Sequence, residues 1–287
     1  MDFKILEMAL KRIPFEKTLH HVETGDQAME FLNREGDYAD APQPDLVLLD
    51  VNLPGINGHE VLEHIKSDPV LRSIPVLMLT TSSLREDVEK AYKGMANGYL
   101  TKGYGSEVVE TLRTLTQFWF SLVRLPSGET RRPKHIFKEN CAPINSHVRI
   151  LYIDDAPLEG MIIKEAAEEL DFQYPVQLAG SADEGMACLL GHPESSKPDL
   201  ILLDIHLPGM DGIEFLEKLR GDPENQMIHV VALSGSEDDQ DILEAYRNYV
   251  NAFINKPIDY AGVLEVLATI GQWFSVVKFS GKDPSLF

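Results

Sequence analysis

The sequence predicts an α/β protein of two doubly wound domains, each a parallel sheet between two layers of helices. Three observations predict it. The chain has 287 residues, enough for two domains of ordinary size. It repeats itself once: PDLVLLDVNLPGINGHEVLEHIKSDP, from Pro44, returns as PDLILLDIHLPGMDGIEFLEKLRGDP, from Pro198, with more than half of the positions identical. In each copy, short apolar runs alternate with helical patterns, as strands and crossover helices do.

The second copy is complete. Its apolar runs are RILYID, PVQLAG, DLILLD, HVVALS and NAFIN. Continuous apolar runs suit strands buried on both faces. Helical patterns follow Pro157, Ser181, Asp211, Glu237 and Asp259. Five such units make a flavodoxin-like (βα)5 fold, whose ligands sit at the carboxyl ends of the strands. The first copy keeps a register of 154 residues to the second from its central motif onward: Asp50 to Asp204, Thr80 to Ser234, Lys102 to Lys256, Trp119 to Trp273. Upstream the offset is 157, pairing Thr24 with Ser181 and Asp26 with Asp183. On that register the partner of Asp155 falls before Met1, so the first domain lacks its first strand. The run TLHHVE then has no natural neighbour, because the first strand lies between the second and third in this fold. Two explanations stay open: a start at an internal methionine of a longer frame, or a true pseudo-domain with another segment in the gap. The expected boundaries are 1–124 for the first domain, 125–147 for a Pro- and Gly-containing linker, and 148–280 for the second domain. Phe3, Leu6, Leu10 and Ile13 predict an amphipathic helix at the N-terminus, and HIF within the linker a short strand.

Composition narrows the function. With 44% hydrophobic and 25% charged residues the chain reads as a soluble globular protein. A net charge of -20 repels nucleic-acid phosphates and anionic lipid, so neither is an expected partner. Cys141 and Cys188 have no CxxC spacing, which argues against disulfides or zinc and fits a reducing cytoplasm. No apolar run approaches the roughly 20 residues of a membrane span. The first residues lack the features of a signal peptide.

The strand ends of the second copy hold the chemistry. Asp154, Asp155, Asp204, Ser234 and Lys256 converge from four strands. A carboxylate at a strand end, as in Asp204, can attack phosphorus. Asp154 and Asp155 add hard oxygen ligands of the kind Mg²⁺ prefers. Lys256 can pair with a phosphoryl oxygen as a point charge, and Ser234 can donate to another.

These residues, in the segments ID-Asp154-Asp155, LLDIHLPGMDG, LSGS and NKP, resemble the receiver domain of bacterial response regulators. The resemblance covers nearly the whole chain except the linker. It implies that Asp204 accepts a phosphoryl group from a histidine kinase, that Asp154, Asp155 and Asp204 hold Mg²⁺, and that the main-chain carbonyl of His206 completes the metal shell. It assigns Ser234 and Phe253 as switch residues and a cis peptide bond before Pro257. Asp50, Thr80, Tyr99 and Lys102 match the same roles in the first copy, which lacks the acid pair and has Gly103 where the family has proline. Phosphorylation of Asp50 and the first site as a whole are left open, as is the reading of Phe253 and Tyr99 as plain core aromatics. The tails QFWFSLVRL and GQWFSVVKF resemble those of short regulators that work with phytochrome-type kinases, and point to a homodimer or to packing between the two domains. The implied partners are a histidine kinase, of phytochrome type by those tails, or a histidine phosphotransfer protein.

Other classes fare worse. The histidines are scattered: His59 and His64 lie five apart on one helix, and His20 and His21 adjoin on a predicted strand, so none reads as a metal ligand. A haloacid-dehalogenase-like phosphatase needs a second acid two residues after its nucleophile, and the chain has Asn52 and His206 there. No GxxxxGK phosphate loop is present. The expected protein is therefore a signalling module, not an enzyme beyond its own phosphorylation and dephosphorylation, with output by protein contact. The competing view makes the first half a structural dimerisation or inhibitory platform.

Overall fold

The computed structural model describes residues 18–82, 84–103, 106–126, 146–190, 196–236 and 238–278. The expected N-terminal helix and the HIF strand lie outside them. The chain divides into two compact units. Among the described residues, one holds 18–116 and 276–278, the other 117–275.

The second unit contains β4 (Ile150–Ile153), β5 (Gln177–Ala179), β6 (Leu200–Asp204), β7 (His229–Ser234) and β8 (Ala252–Asn255). They form one parallel sheet in the order β5-β4-β6-β7-β8. Its helices are α5 (Pro157–Glu169), α6 (Ala182–Leu189), α7 (Gly212–Gly221), α8 (Asp239–Arg247) and α9 (Tyr260–Val276). All five predicted strands are present. β6 and β7 are buried throughout, as strands covered on both faces must be. Helix starts follow from side chains that accept orphan backbone N–H groups: Ser181 caps α6, and Asp211 caps α7 in a reciprocal box with Glu214.

Residues 117–126 fall in this second unit. Packing explains it. The Phe118 ring stacks on Trp273 with centroids 4.9 Å apart, and Trp119 meets Trp273 edge-on at 6.0 Å. Val123 bridges Ile254 in antiparallel sense, Arg124 N–H donates to the Phe253 carbonyl at 2.7 Å, and Tyr246 Oη donates to the Arg124 carbonyl at 2.9 Å.

The first unit contains α1 (Gly25–Asn33), β1 (Val47–Asp50), α2 (Gly58–Ser67), β2 (Val76–Thr80), α3 (Arg85–Lys93), β3 (Gly98–Thr101) and α4 (Ser106–Gln117), which runs on into a wider turn over Phe118–Leu122. Its sheet has the order β1-β2-β3, all parallel. Among the described residues neither a first nor a second strand of the fold is present, and the absence of the second corrects the sequence reading. TLHHVE is not a strand, so His20 and His21 do not project from one. Among the described residues no strand pairs with the run, and its residues stay largely exposed. The first unit closes its other edge as the second does: Val277 bridges Leu100, Lys278 N–H donates to the Tyr99 carbonyl at 2.9 Å, and Tyr92 Oη donates to the Lys278 carbonyl at 2.8 Å.

Candidate functional site

Sheet register assembles the second unit's site. Ile153, the last residue of β4, pairs with Leu203, which sets Asp154 level with Asp204 at the end of β6. On the other side Asp204 pairs with Leu233, so Ser234 closes β7 one step further on. Ser234 pairs with Asn255, and Lys256 follows directly. Residues from distant stretches thus reach one rim of one sheet.

The turn after Asp204 is tight. Gly209 has φ +83°, a left-handed conformation that costs glycine little. Gly212 opens α7 against the strand end: its N–H donates to the Ile205 carbonyl at 3.0 Å, and a Cβ there would lie 2.5 Å from the Asp204 carbonyl oxygen. Gly212 in the PGMDG segment therefore answers to a close backbone approach beside Asp204.

The acids share one cation. Lys256 Nζ donates to Asp154 Oδ2 and to Asp204 Oδ2, each at 2.7 Å, and lies 3.0 Å from Glu159 Oε2. Burial works against the Lys256 charge, but the hydrogen bonds to Asp154, Asp204 and Glu159 outweigh it and hold the ammonium above the usual lysine range. Asp154 is buried. It accepts from Tyr152 Oη at 2.7 Å and from the Ala156 N–H at 2.8 Å. Burial, then the bond to Asp154, pushes the Tyr152 phenol up, so it remains a donor. Asp204 is buried too and accepts from the His206 N–H at 3.0 Å.

Carboxylate oxygens of Asp154, Asp155 and Asp204 all lie within 4.8 Å of one another. Asp155 is the exposed member, facing water from which an ion could enter. Three hard anionic donors at this spacing fit Mg²⁺ or Mn²⁺, which keep several waters and take few carboxylates. The His206 ring turns away, its Nε2 lying 3.1 Å from Asp241 Oδ2. Ser234 is fully buried, with Oγ accepting from the Ser236 N–H at 3.0 Å, and Phe253 is fully buried in β8. No peptide bond is cis among the described residues, so the Lys256–Pro257 bond is trans, contrary to the expectation from the resemblance. Trans is the lower-energy isomer of an X–Pro bond unless its surroundings select the other.

The first unit keeps half of this arrangement. Lys102 Nζ forms a close ion pair with Asp50 Oδ2, and the Asn52 N–H donates to Asp50 Oδ1 at 3.1 Å. Thr80 Oγ1 accepts from the Ser82 N–H at 3.0 Å, and Tyr99 Oη donates to the Ser82 carbonyl at 3.1 Å. Among the described residues, the cluster of acids spaced for a metal is the one at Asp154, Asp155 and Asp204. Of the other histidines, His59 is buried and His64 Nε2 lies 2.8 Å from Asn33 Oδ1. Tyr152 and Glu159 are the site residues that the sequence reading missed. Tyr152 lies two residues before Asp154, and side chains two apart on a strand share a face, so it was open to discovery.

With fold and site in place, comparison with known proteins assigns the class. The family model described as the response regulator receiver domain matches residues 3–113 and 150–268. The chain belongs to that family and carries two of its domains in tandem, as found in two-component signalling. It is 38% identical over 128 residues to the response regulator Rcp1 of Synechocystis sp., covering 44% of this chain and 87% of that protein. It is 26% identical over 219 residues to the response regulator PleD of Caulobacter vibrioides, covering 75% of this chain and 46% of that protein. A crystal structure of Mn²⁺-bound Rcp1 matches with 37% identity and a TM-score of 0.43, over 44% of this chain and 91% of that one.

Proposed function

We propose that the second unit accepts a phosphoryl group on Asp204, taken from the phosphohistidine of a histidine kinase or a histidine phosphotransfer protein. The observation that carries this is the rim where Asp154, Asp155, Asp204 and Lys256 meet. An Asp204 carboxylate oxygen attacks phosphorus, the P–N bond breaks, and its electron pair returns to the imidazole nitrogen. Mg²⁺ held by Asp154, Asp155 and Asp204, with the His206 carbonyl, would offset the charge of the phosphoryl oxygens. Lys256 moves from carboxylate to phosphoryl oxygen, and Ser234 turns its hydroxyl inward to a second one. That movement and the packing of Phe253 bias the β8 edge between two states.

The output is contact with another protein. Leu158, Met161 and Ile258 stand exposed just beyond the carboxyl ends of β4 and β8, where a donor protein would approach Asp204. The tail sequences favour a kinase of phytochrome type. No helix among the described residues is long and apolar enough to cross a membrane, in keeping with a partner met in the cytoplasm. Among the described residues no acid pair stands beside Asp50, which favours a structural or inhibitory role for the first unit.

The test uses the full chain, acetyl phosphate and Mg²⁺, read by intact mass. One phosphoryl adduct is expected, lost in Asp204→Ala and retained in Asp50→Ala. An adduct that survives replacement of both residues contradicts the assignment.

A further inference from the structure

Three carboxylates converge on Lys256, although the acceptor chemistry asks for two. Asp154 Oδ2 and Asp204 Oδ2 lie at 2.7 Å and Glu159 Oε2 at 3.0 Å. An ammonium has three protons: two donate to Asp154 and Asp204, and the ion pair with Glu159 covers the remaining side. Lys256 can reach a phosphoryl oxygen only by releasing one acceptor.

The three are not equally releasable. The Asp154 side chain is fully buried and held by Tyr152 Oη and the Ala156 N–H. Asp204 is the attacked group itself. Glu159 sits in the first turn of α5 on a longer side chain, 47% exposed, and makes the longest of the three contacts. It can swing into water, where its charge is solvated at little cost. Its second contact, to Tyr152 Oη at 3.3 Å, is weak.

We propose that Glu159 is a positioning residue that holds Lys256 in the unphosphorylated site and yields it to the incoming phosphoryl oxygen, restraining phosphorylation of Asp204. This rests on the reading of Asp204 as the acceptor. Two effects act in the same direction. Glu159 competes for the lysine proton, and its charge opposes an anionic donor arriving within a few ångströms. After hydrolysis of the aspartyl phosphate Glu159 recaptures Lys256 and restores the resting geometry.

The test compares the full chain carrying Asp50→Ala with the same chain also bearing E159Q or E159D. Two quantities are read: the single-turnover rate with acetyl phosphate at saturating Mg²⁺, and the solvent protection of the Lys256 ammonium by proton–nitrogen correlation NMR without metal. E159Q is expected to raise the rate about fivefold, the size of a modest like-charge repulsion near a protein surface. E159D keeps the charge but is shorter by one methylene, and is expected to fall between E159Q and the parent. The ammonium loses protection in both. Equal or slower rates in E159Q, E159D matching the parent, or unchanged ammonium protection overturns the proposal. A parent that takes no phosphoryl group instead sinks the acceptor reading, while the NMR measurement still reports on the Glu159–Lys256 bond.

Discussion

At the scale of single residues, burial decides which charges the second unit keeps. Lys256 stays charged because three carboxylates surround it. His229 shows the opposite case. It lies at the start of β7, fully enclosed, with the Phe274 ring edge-on at 5.4 Å. Burial, then the nearby Arg220 charge, pushes its pKa down to about 3. The folded unit therefore resists a proton that the unfolded chain binds near pH 6.5. The contribution is fully present above pH 6.5 and is lost as pH falls toward 3, at about 1.4 kcal/mol per pH unit. Both tryptophans of the chain, Trp119 and Trp273, pack in this unit, so their fluorescence reports its unfolding. Between pH 6.5 and 5 the parent is expected to lose about 2 kcal/mol more than His229→Leu in denaturant titrations. Identical pH dependence in the two would show that His229 is not the titrating group.

At the scale of elements, the strand–turn–helix around Asp50 and Asp204 is the piece of architecture the two units share. Gly58 would place a Cβ 2.1 Å from the Asp50 carbonyl oxygen, as Gly212 would beside Asp204. Gly212→Ala must push α7 away from β6 and drag the Asp204 backbone with it. The expected cost is about 1–3 kcal/mol, as for other overpacked sites, read as an earlier tryptophan fluorescence transition in denaturant, with slower phosphorylation of Asp204. An unchanged midpoint would mean that the helix is free to shift.

These elements also show what the sequence could disclose. The five strands of the second unit were legible because apolar runs such as DLILLD leave no polar face, and the caps Ser181 and Asp211 marked helix starts. The meeting of Asp154, Asp204 and Lys256 at one rim was legible because each closes or directly follows such a run. TLHHVE misled because its pattern suits a strand while no strand among the described residues pairs with it. The packing of Phe118 and Trp119 on Trp273 was hidden because both continue α4 in sequence. Glu159 escaped notice because an acid in a first helical turn usually serves the helix dipole, and only the fold brings it to Lys256.

At the scale of the whole molecule, duplication has left two units with the same core and different chemistry. Arg220 donates to the carbonyls of Gln226, Ile228 and Tyr249 and to Asn251, and Lys66, 154 residues earlier, donates to those of Arg72 and Ile74 and to Asn97. Such buried staples keep both folds intact. The sites diverge: Lys256 is shared among three acids, two of which form a metal-competent cluster with Asp155, whereas Lys102 pairs with Asp50. A chain of net charge -20 adds no attraction for nucleic acid.

The most direct measurement is to locate the acyl phosphate. The full-length protein is phosphorylated with a small donor and Mg²⁺, the aspartyl phosphate is reduced with borohydride to homoserine, and the peptides are mapped by mass. Homoserine at position 204, with unmodified aspartate at position 50, is the predicted result. Homoserine at position 50 in comparable yield would contradict the claim that the acid cluster of the second unit decides where the phosphoryl group goes.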